Sequence, residues 1–139
     1  MMFEKNKKKV LIVEDDSDIS EMYRIRITAG GFEVETAANG QIGIEKMKKF
    51  LPDLVLLDIV MPKKDGFDLL EEVRQASDKE EIKKIPIIVL SNLASPIDIM
   101  EGKRLGAQDW WIKAFNTPSQ ISQKVIDFFN KKTIKVKKE

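Results

Sequence analysis

Residues 54–66, LVLLDIVMPKKDG, join a short apolar run to an acidic residue and a turn. The run Leu54–Leu57 is apolar at every position, which is typical of a strand covered on both faces of a parallel sheet. Asp58 follows it directly, where the chain leaves the sheet. On its own, an acid at such a place is most simply explained as a turn former. A chemical role requires other charged groups at the same edge of the sheet.

Two similar apolar runs lie at 10–13 (VLIV) and 87–90 (IIVL), and weaker strand patterns lie at 32–37 and 110–112. The segments between them are long enough for crossover helices. The sequence therefore predicts an α/β fold in which a β-α unit is repeated five times around a doubly wound, five-stranded parallel sheet.

Capping residues predict where the helices begin. The third helix is expected from about Gly66 to Gln75. Residues 23–28 alternate like a strand, but the crossover between two parallel strands requires a helix there. The predicted caps of the other four helices are Ser17, Asn39, Ser95 and Thr117.

The composition indicates one globular domain. The chain has 139 residues, of which 42% are hydrophobic and 34% charged, and it contains neither cysteine nor histidine. These absences exclude disulfides, thiolate chemistry and the commonest zinc ligand. No run is long enough to span a bilayer and no signal peptide is evident, so we expect a cytoplasmic protein without a membrane partner.

Lysines are concentrated at the two ends of the chain. The net charge of +1 divides into +7 for residues 1–9 and 131–139 together, and −6 for residues 10–130. We expect a basic extension at 1–8, a domain at 9–130 and a lysine-rich, solvated tail at 131–139. The acidic body argues against a nucleic-acid partner. As an alternative for the tail, Ile134 and Val136 could add a short strand to a partner protein.

Polar groups follow four of the predicted strands, and the carboxyl ends of parallel strands meet at one edge. Like charges about 4 Å apart repel by roughly 4 kcal/mol at an effective dielectric near 20, so clustered carboxylates take up protons or hold a cation. Oxygen-only ligands favour Mg²⁺. The simpler explanation of residues 14–16 is a set of acids at a helix amino terminus, but Asp58 across the cleft favours the metal site. The converging groups are Glu14, Asp15, Asp16, Asp58, Ser91, Asn92 and Lys113.

Over about residues 8–130 the chain resembles the receiver domain of two-component response regulators. The resemblance rests on four segments: 10–16, the Asp-x-x-Met-Pro-x-x-x-Gly motif at 58–66, 89–91 and 112–113. It implies a flavodoxin-like (βα)5 fold with strand order 2-1-3-4-5. It also implies that Asp58 accepts a phosphoryl group from a histidine kinase or phosphotransfer protein, with Mg²⁺ as cofactor.

The same resemblance implies roles for the surrounding residues. Asp15 would bind Mg²⁺ directly, Glu14 would act through a water, and the Val60 backbone carbonyl would be a further ligand beside Asp58. Ser91 and Lys113 would contact the phosphoryl oxygens.

Three residues depart from the family's pattern. Asn92 replaces a small residue after Ser91, and we expect it to crowd or hydrogen-bond the phosphoryl pocket. Ala114 replaces a proline after Lys113, so we expect a trans peptide bond there. Trp110 replaces the rotating aromatic residue of the fifth strand. Two interpretations of it stay open: an outward contact surface, or packing of Trp110 and Trp111 on the two faces of the strand.

The leading hypothesis is a stand-alone, phosphorylation-dependent switch that signals through helix 4, strand 5 and helix 5 to a partner protein, with a homodimer through that face also possible. We expect no enzymatic activity beyond self-phosphorylation and self-dephosphorylation. Because Val60 and Leu93 are apolar where related domains have polar side chains that orient the attacking water, we expect self-dephosphorylation to be slow. One alternative is a receiver-like interaction module that does not use phosphate. A third class, a small doubly wound enzyme or flavin carrier, is disfavoured because no phosphate-cradling glycine loop follows a strand.

Overall fold

Five parallel strands form one sheet in the order β2-β1-β3-β4-β5. The computed structural model describes the backbone of residues 7–138 and the side chains of residues 7–131. The predicted doubly wound, flavodoxin-like fold and its strand order are confirmed. The strands are β1 (Lys9–Val13), β2 (Glu33–Ala37), β3 (Leu54–Leu57), β4 (Ile87–Ser91) and β5 (Asp109–Ile112). The helices are α1 (Ser17–Ala29), α2 (Gly40–Phe50), α3 (Gly66–Gln75), α4 (Pro96–Arg104) and α5 (Pro118–Lys138).

The central strands are apolar throughout because both of their faces are covered. Alternate side chains of each strand point to opposite faces, so each apolar run supplies two cores. Val13 and Leu57 lie in a core with residues of α2 and α3. Ile12 and Leu56 lie in the second core, with residues of α1 and α5. Complete burial of such a side chain contributes roughly 1.5–3 kcal/mol, which is why these runs form the centre of the sheet.

Residues 23–28 belong to α1, as predicted. Tyr23 and Ile27 are both buried, and their spacing of four residues places them on one helical face against the sheet. The alternating pattern of this segment therefore reflects a narrow buried stripe and not a strand.

The predicted caps are correct for three helices and wrong for one. Asn39, Ser95 and Thr117 accept hydrogen bonds from the backbone N–H three residues ahead, at 2.9, 3.2 and 3.1 Å. For α1 the cap is Asp16 and not Ser17. The Asp16 carboxylate accepts from the backbone N–H groups of residues 18 and 19 at 3.0 and 3.1 Å. Asp16 stands one residue earlier with an equally good acceptor, so Ser17 becomes the first helical residue.

The last helix continues beyond the predicted domain boundary. Residues 131–138, which were expected to form a tail, extend α5 to Lys138 as helix and not as a strand. Neither glycine nor proline occurs after Pro118, so no residue in this stretch stops the helix. Residues 1–6 of the predicted basic extension, and Glu139, lie outside the described residues. Within the described part of the chain, no helix has the length and apolarity needed to cross a bilayer.

Candidate functional site

The carboxyl ends of four strands bring the predicted site residues to one edge of the sheet. Glu14 and Asp15 follow β1, Asp58 follows β3, Ser91 ends β4 and Lys113 follows β5. The backbone fixes this arrangement as well, because the Asp58 N–H donates to the Val13 carbonyl at 2.9 Å. Asp58 is therefore held at the end of the two central strands.

Lys113 joins the two buried carboxylates. Its Nζ donates to Oδ2 of Asp58 at 2.8 Å and also to Oε1 of Glu14. Glu14 and Asp58 are only 4% and 8% exposed, so the lysine neutralises charges that water cannot solvate. The three groups act as one electrostatic unit.

Burial and pairing set the protonation of this unit. Burial raises the pKa of Glu14, and the hydrogen bond from Lys113 offsets part of that effect. Burial alone would lower the pKa of Lys113, but its hydrogen bonds to Asp58 and Glu14, together with their negative charges, outweigh burial and raise the pKa. Lys113 is accordingly cationic at neutral pH and available to attract an anion.

Three carboxylates at this edge could hold a metal ion. Glu14, Asp15 and Asp58 each place one oxygen within 4.8 Å of the others, and Asp15 is exposed while its two neighbours are buried. An oxygen-only set that is open to solvent on one side fits Mg²⁺, which keeps several of its waters. The residues present therefore fit the predicted cofactor.

The loop after β3 shapes the surroundings of Asp58. The Ile59 N–H donates to Oδ1 of Asp58 at 2.7 Å, which fixes the carboxylate opposite Lys113. Gly66 approaches this loop so closely that an added Cβ would lie 2.5 Å from the Asp58 carbonyl oxygen, so a larger residue does not fit there. Asp65 caps α3 in a reciprocal pair with Asp68. Between these fixed points, the Val60 side chain is 66% exposed.

Asn92 contacts the loop after β5. Its Oδ1 accepts a hydrogen bond from the Ala114 N–H at 2.8 Å, so that oxygen joins the β4–α4 loop to the neighbouring turn. The bond is possible because Ala114 has an N–H that proline lacks. No peptide bond is cis within the described chain, which confirms the trans bond expected before Ala114. Ser91, 1% exposed, accepts from the Leu93 N–H at 3.1 Å through Oγ.

Trp110 is buried, so its interpretation as an outward contact surface is wrong. Its indole N–H donates to the Leu93 carbonyl at 2.8 Å, and an added Cβ on Gly102 would lie 2.5 Å from the ring. Trp110 belongs to the core beneath α2 and α3, whereas Trp111 belongs to the core beneath α1 and α5. This confirms the alternative that the two tryptophans pack on opposite faces of β5.

Sequence reasoning missed two features near the site. The first is a pair of hydrogen bonds that residues 92 and 93 form with the turn after β5 and with β5 itself. These bonds depend on tertiary contacts, which no local sequence pattern reveals. The second is an exposed set of apolar side chains beside β5: Ile97 and Met100 on α4, and Phe115 in the turn after β5, are 79%, 70% and 76% exposed. The spacing of three between Ile97 and Met100 could have indicated an apolar stripe on α4.

Comparisons with known proteins agree with this geometry. The family model for the response regulator receiver domain matches residues 10–126. The probable transcriptional regulator ycf27 of Pyropia yezoensis is 36% identical over 122 residues, 88% of this chain and 47% of that protein. The chain thus spans about half the length of the curated relatives it matches.

Solved structures share the whole fold. The chemotaxis protein CheY4 of Vibrio cholerae is 34% identical with a TM-score of 0.77, and the match covers 87% of this chain and 98% of that one. The response regulator Rcp1, solved in its Mn²⁺-bound form, is 25% identical with a TM-score of 0.74, covering 88% of this chain and 94% of that one.

Proposed function

Because this chain belongs to the response regulator receiver domain family, we propose that it is a phosphorylation-dependent switch of a two-component or phosphorelay system. Asp58 accepts a phosphoryl group from the phosphohistidine of a histidine kinase or phosphotransfer protein. One observation carries the proposal: Lys113 bridges Asp58 and Glu14 next to a three-carboxylate cluster at the carboxyl edge of the sheet. The domain acts as a signalling module and not as a classical enzyme.

The chain's own groups account for the transfer step. An Asp58 carboxylate oxygen forms the new P–O bond while the P–N bond of the donor breaks. The leaving imidazole keeps that electron pair and takes up a proton. Lys113, already 2.8 Å from Asp58 Oδ2, balances the negative charge that the phosphoryl oxygens bring into a buried site. The Ser91 hydroxyl binds one of those oxygens after the transfer.

The carboxylate cluster is the proposed site of Mg²⁺, which neutralises phosphoryl charge when bound. We assign Asp15 as a direct ligand because it is the exposed member of the cluster. Glu14, whose two oxygens accept from Lys113 and from the Asp16 N–H at 3.1 Å, acts through a water. Asp58 and the Val60 carbonyl complete the protein's contribution. The Mn²⁺-bound form of the similar protein Rcp1 supports a divalent ion here.

The output surface consists of α4, β5 and α5. Phosphorylation adds about two negative charges at Asp58, and attraction of Ser91 toward them displaces the loop that leads into α4. The exposed apolar residues Ile97, Met100 and Phe115 give this surface its capacity to bind a partner protein or a second copy of the chain. The acidic body of the domain favours a protein partner over nucleic acid.

The test is intact-mass measurement after incubation with acetyl phosphate and Mg²⁺. The wild-type protein is expected to gain the mass of one phosphoryl group, only when Mg²⁺ is present. Asp58→Asn abolishes the gain. Asp18→Asn, which changes an exposed acid in the first turn of α1, is the matched control and retains it. A mass gain that persists in Asp58→Asn would overturn the assignment of the acceptor.

A second candidate is a receiver-like interaction module that operates without phosphate. It is favoured by the two bonds that fasten the β4–α4 loop to β5 and its following turn, Asn92 to Ala114 and Trp110 to Leu93, because they resist movement of the loop. Two results together would establish this module in place of the switch. The protein would show no mass gain, and Asp58→Asn would leave partner binding unchanged.

A further inference from the structure

We infer that Asn92 is a positioning residue for Lys113, acting through the backbone of Ala114. This inference rests on the proposed phosphoryl transfer to Asp58. It concerns a contact made by two residues that both depart from the family pattern. The relevant contact is the hydrogen bond from the Ala114 N–H to Asn92 Oδ1, at 2.8 Å.

The donor of this bond, the Ala114 N–H, lies at the start of a short helical turn. Residues Lys113–Phe115 form a 3₁₀ turn directly after β5, and Ala114 is its second residue. The first N–H groups of any helical turn lack partners inside the turn, so an acceptor from another segment stabilises them. Asn92 supplies that acceptor from the β4–α4 loop. The bond therefore requires both a side-chain oxygen at 92 and a residue other than proline at 114.

The residue after Asn92 is fixed by two hydrogen bonds. The Leu93 N–H donates to Ser91 Oγ at 3.1 Å, and the Trp110 indole N–H donates to the Leu93 carbonyl at 2.8 Å. The backbone next to Asn92 is thus anchored to β5, so its side chain reaches Ala114 from a fixed point. A preorganised acceptor fixes its donor more effectively than a mobile one.

The other end of the turn is also fastened. The Asn116 side-chain amide donates to the Ile112 carbonyl at 2.8 Å, and the Asn116 N–H donates to the Lys113 carbonyl at 3.2 Å. Asn92 and Asn116 together define the backbone from which the long Lys113 side chain reaches Asp58. A lysine stem has four carbons and considerable rotamer freedom. A fixed backbone therefore determines how much of the time its ammonium lies beside Asp58.

The test separates positioning from metal binding. Asn92→Ala removes the acceptor, and we expect phosphorylation by acetyl phosphate at saturating Mg²⁺ to slow by about fivefold, the factor for one hydrogen bond. The Mg²⁺ dissociation constant, measured by titration without phosphodonor, should stay within about twofold because the carboxylate ligands are unchanged. Asn130→Ala, an exposed position on α5, is the matched control for an asparagine change and alters neither quantity.

Amide hydrogen exchange reads the contact directly. The Ala114 N–H should exchange faster in Asn92→Ala and regain protection in Asn92→Asp, whose carboxylate keeps the acceptor. In an Ala114→Pro background the N–H is absent, so Asn92→Ala should cause no further slowing of phosphorylation. If Ala114→Pro does not fold, the pair Asn92→Ala and Asn92→Asp decides the question.

The outcomes distinguish the positioning role of Asn92 from the proposed phosphoryl transfer to Asp58. An Asn92→Ala protein phosphorylated at the wild-type rate, or an unchanged exchange rate at Ala114, overturns the positioning role and leaves the switch intact. A loss of Mg²⁺ affinity as large as the loss of rate also overturns it, because the effect would then be on the metal site. A wild-type protein that accepts no phosphoryl group overturns the proposed function itself.

Discussion

At the scale of single residues, the site is organised by one cation between two buried anions. Lys113 is the shared partner of Asp58 and Glu14, so removal of its charge leaves two carboxylates close together with little access to water. Buried like charges are unfavourable unless a proton or a cation compensates them. We therefore expect the same three residues to link stability, metal binding and phosphoryl transfer.

Lys113→Met tests this link, because methionine keeps an apolar stem and removes the ammonium. The free energy of unfolding without metal is expected to fall by roughly 1–3 kcal/mol, since the buried carboxylates lose their counter-ion. Mg²⁺ should then raise the melting temperature of the variant more than that of the wild type. Lys103→Met, on α4, is the control for loss of a lysine charge. An equal effect of Mg²⁺ on Lys113→Met and wild type would contradict the shared site.

We predict that Val60 determines how long the phosphoryl group persists on Asp58. Its exposed apolar side chain stands two residues after Asp58 and cannot orient an attacking water, so we predict slow self-dephosphorylation. Val60→Asn should shorten the half-life of the phosphorylated protein severalfold in the presence of Mg²⁺. Ile25→Asn, an exposed apolar position on α1, should leave the half-life unchanged. Decay that is slower in Val60→Asn than in the wild type would refute the prediction.

At the scale of elements, α4 and the loop before it are fastened to β5 by the indole of Trp110. The ring contacts Gly102 in α4, and its N–H holds the Leu93 carbonyl in the loop. A residue placed in this way is a fixed link between the strand and the helix. If the proposed phosphorylation displaces α4, we expect the contact between Trp110 and its two neighbours to loosen.

Trp110→Phe keeps an aromatic ring but removes the N–H and part of the ring volume. We expect residues 91–95 to exchange their amide hydrogens faster, and the free energy of unfolding to fall by about 1–3 kcal/mol. Trp111→Phe is the matched control on the opposite face of the same strand, and should leave the exchange of this loop unchanged. Equal exchange of residues 91–95 in Trp110→Phe and wild type would show that the indole does not fasten the loop.

The elements were predictable to the extent that their signals are local. Continuous apolar runs identified the central strands, and short-range side-chain acceptors identified three of the four capping residues tested by the structure. The cap of α1 was misassigned because Asp16 and Ser17 are both good acceptors. At the site, the parallel arrangement of the strands predicted that Asp58, Glu14 and Lys113 would lie at the same edge of the sheet. The bonds of Asn92 and Trp110 join segments 17 or more residues apart, which no sequence pattern specifies.

At the scale of the whole molecule, the fold connects a buried reaction site to an exposed surface. The site lies at the carboxyl edge of the sheet, and the apolar residues of α4 and of the turn after β5 lie on the surface next to it. Strand β4 contributes Ser91 at its end and leads into α4. We therefore propose that a displacement at the site is transmitted to this surface. The α4–β5–α5 surface is accordingly the part of the molecule that we expect a partner to recognise.

The central claim is that Asp58 carries the phosphoryl group, and peptide mapping tests it most directly. The protein is phosphorylated with acetyl phosphate and Mg²⁺, the acyl phosphate is reduced with borohydride, and the modified residue is located by peptide mass spectrometry. We expect a reduced side chain, homoserine in place of aspartate, at position 58 alone. Modification at Asp15 or another carboxylate with Asp58 unmodified, or modification that does not depend on Mg²⁺, would contradict it.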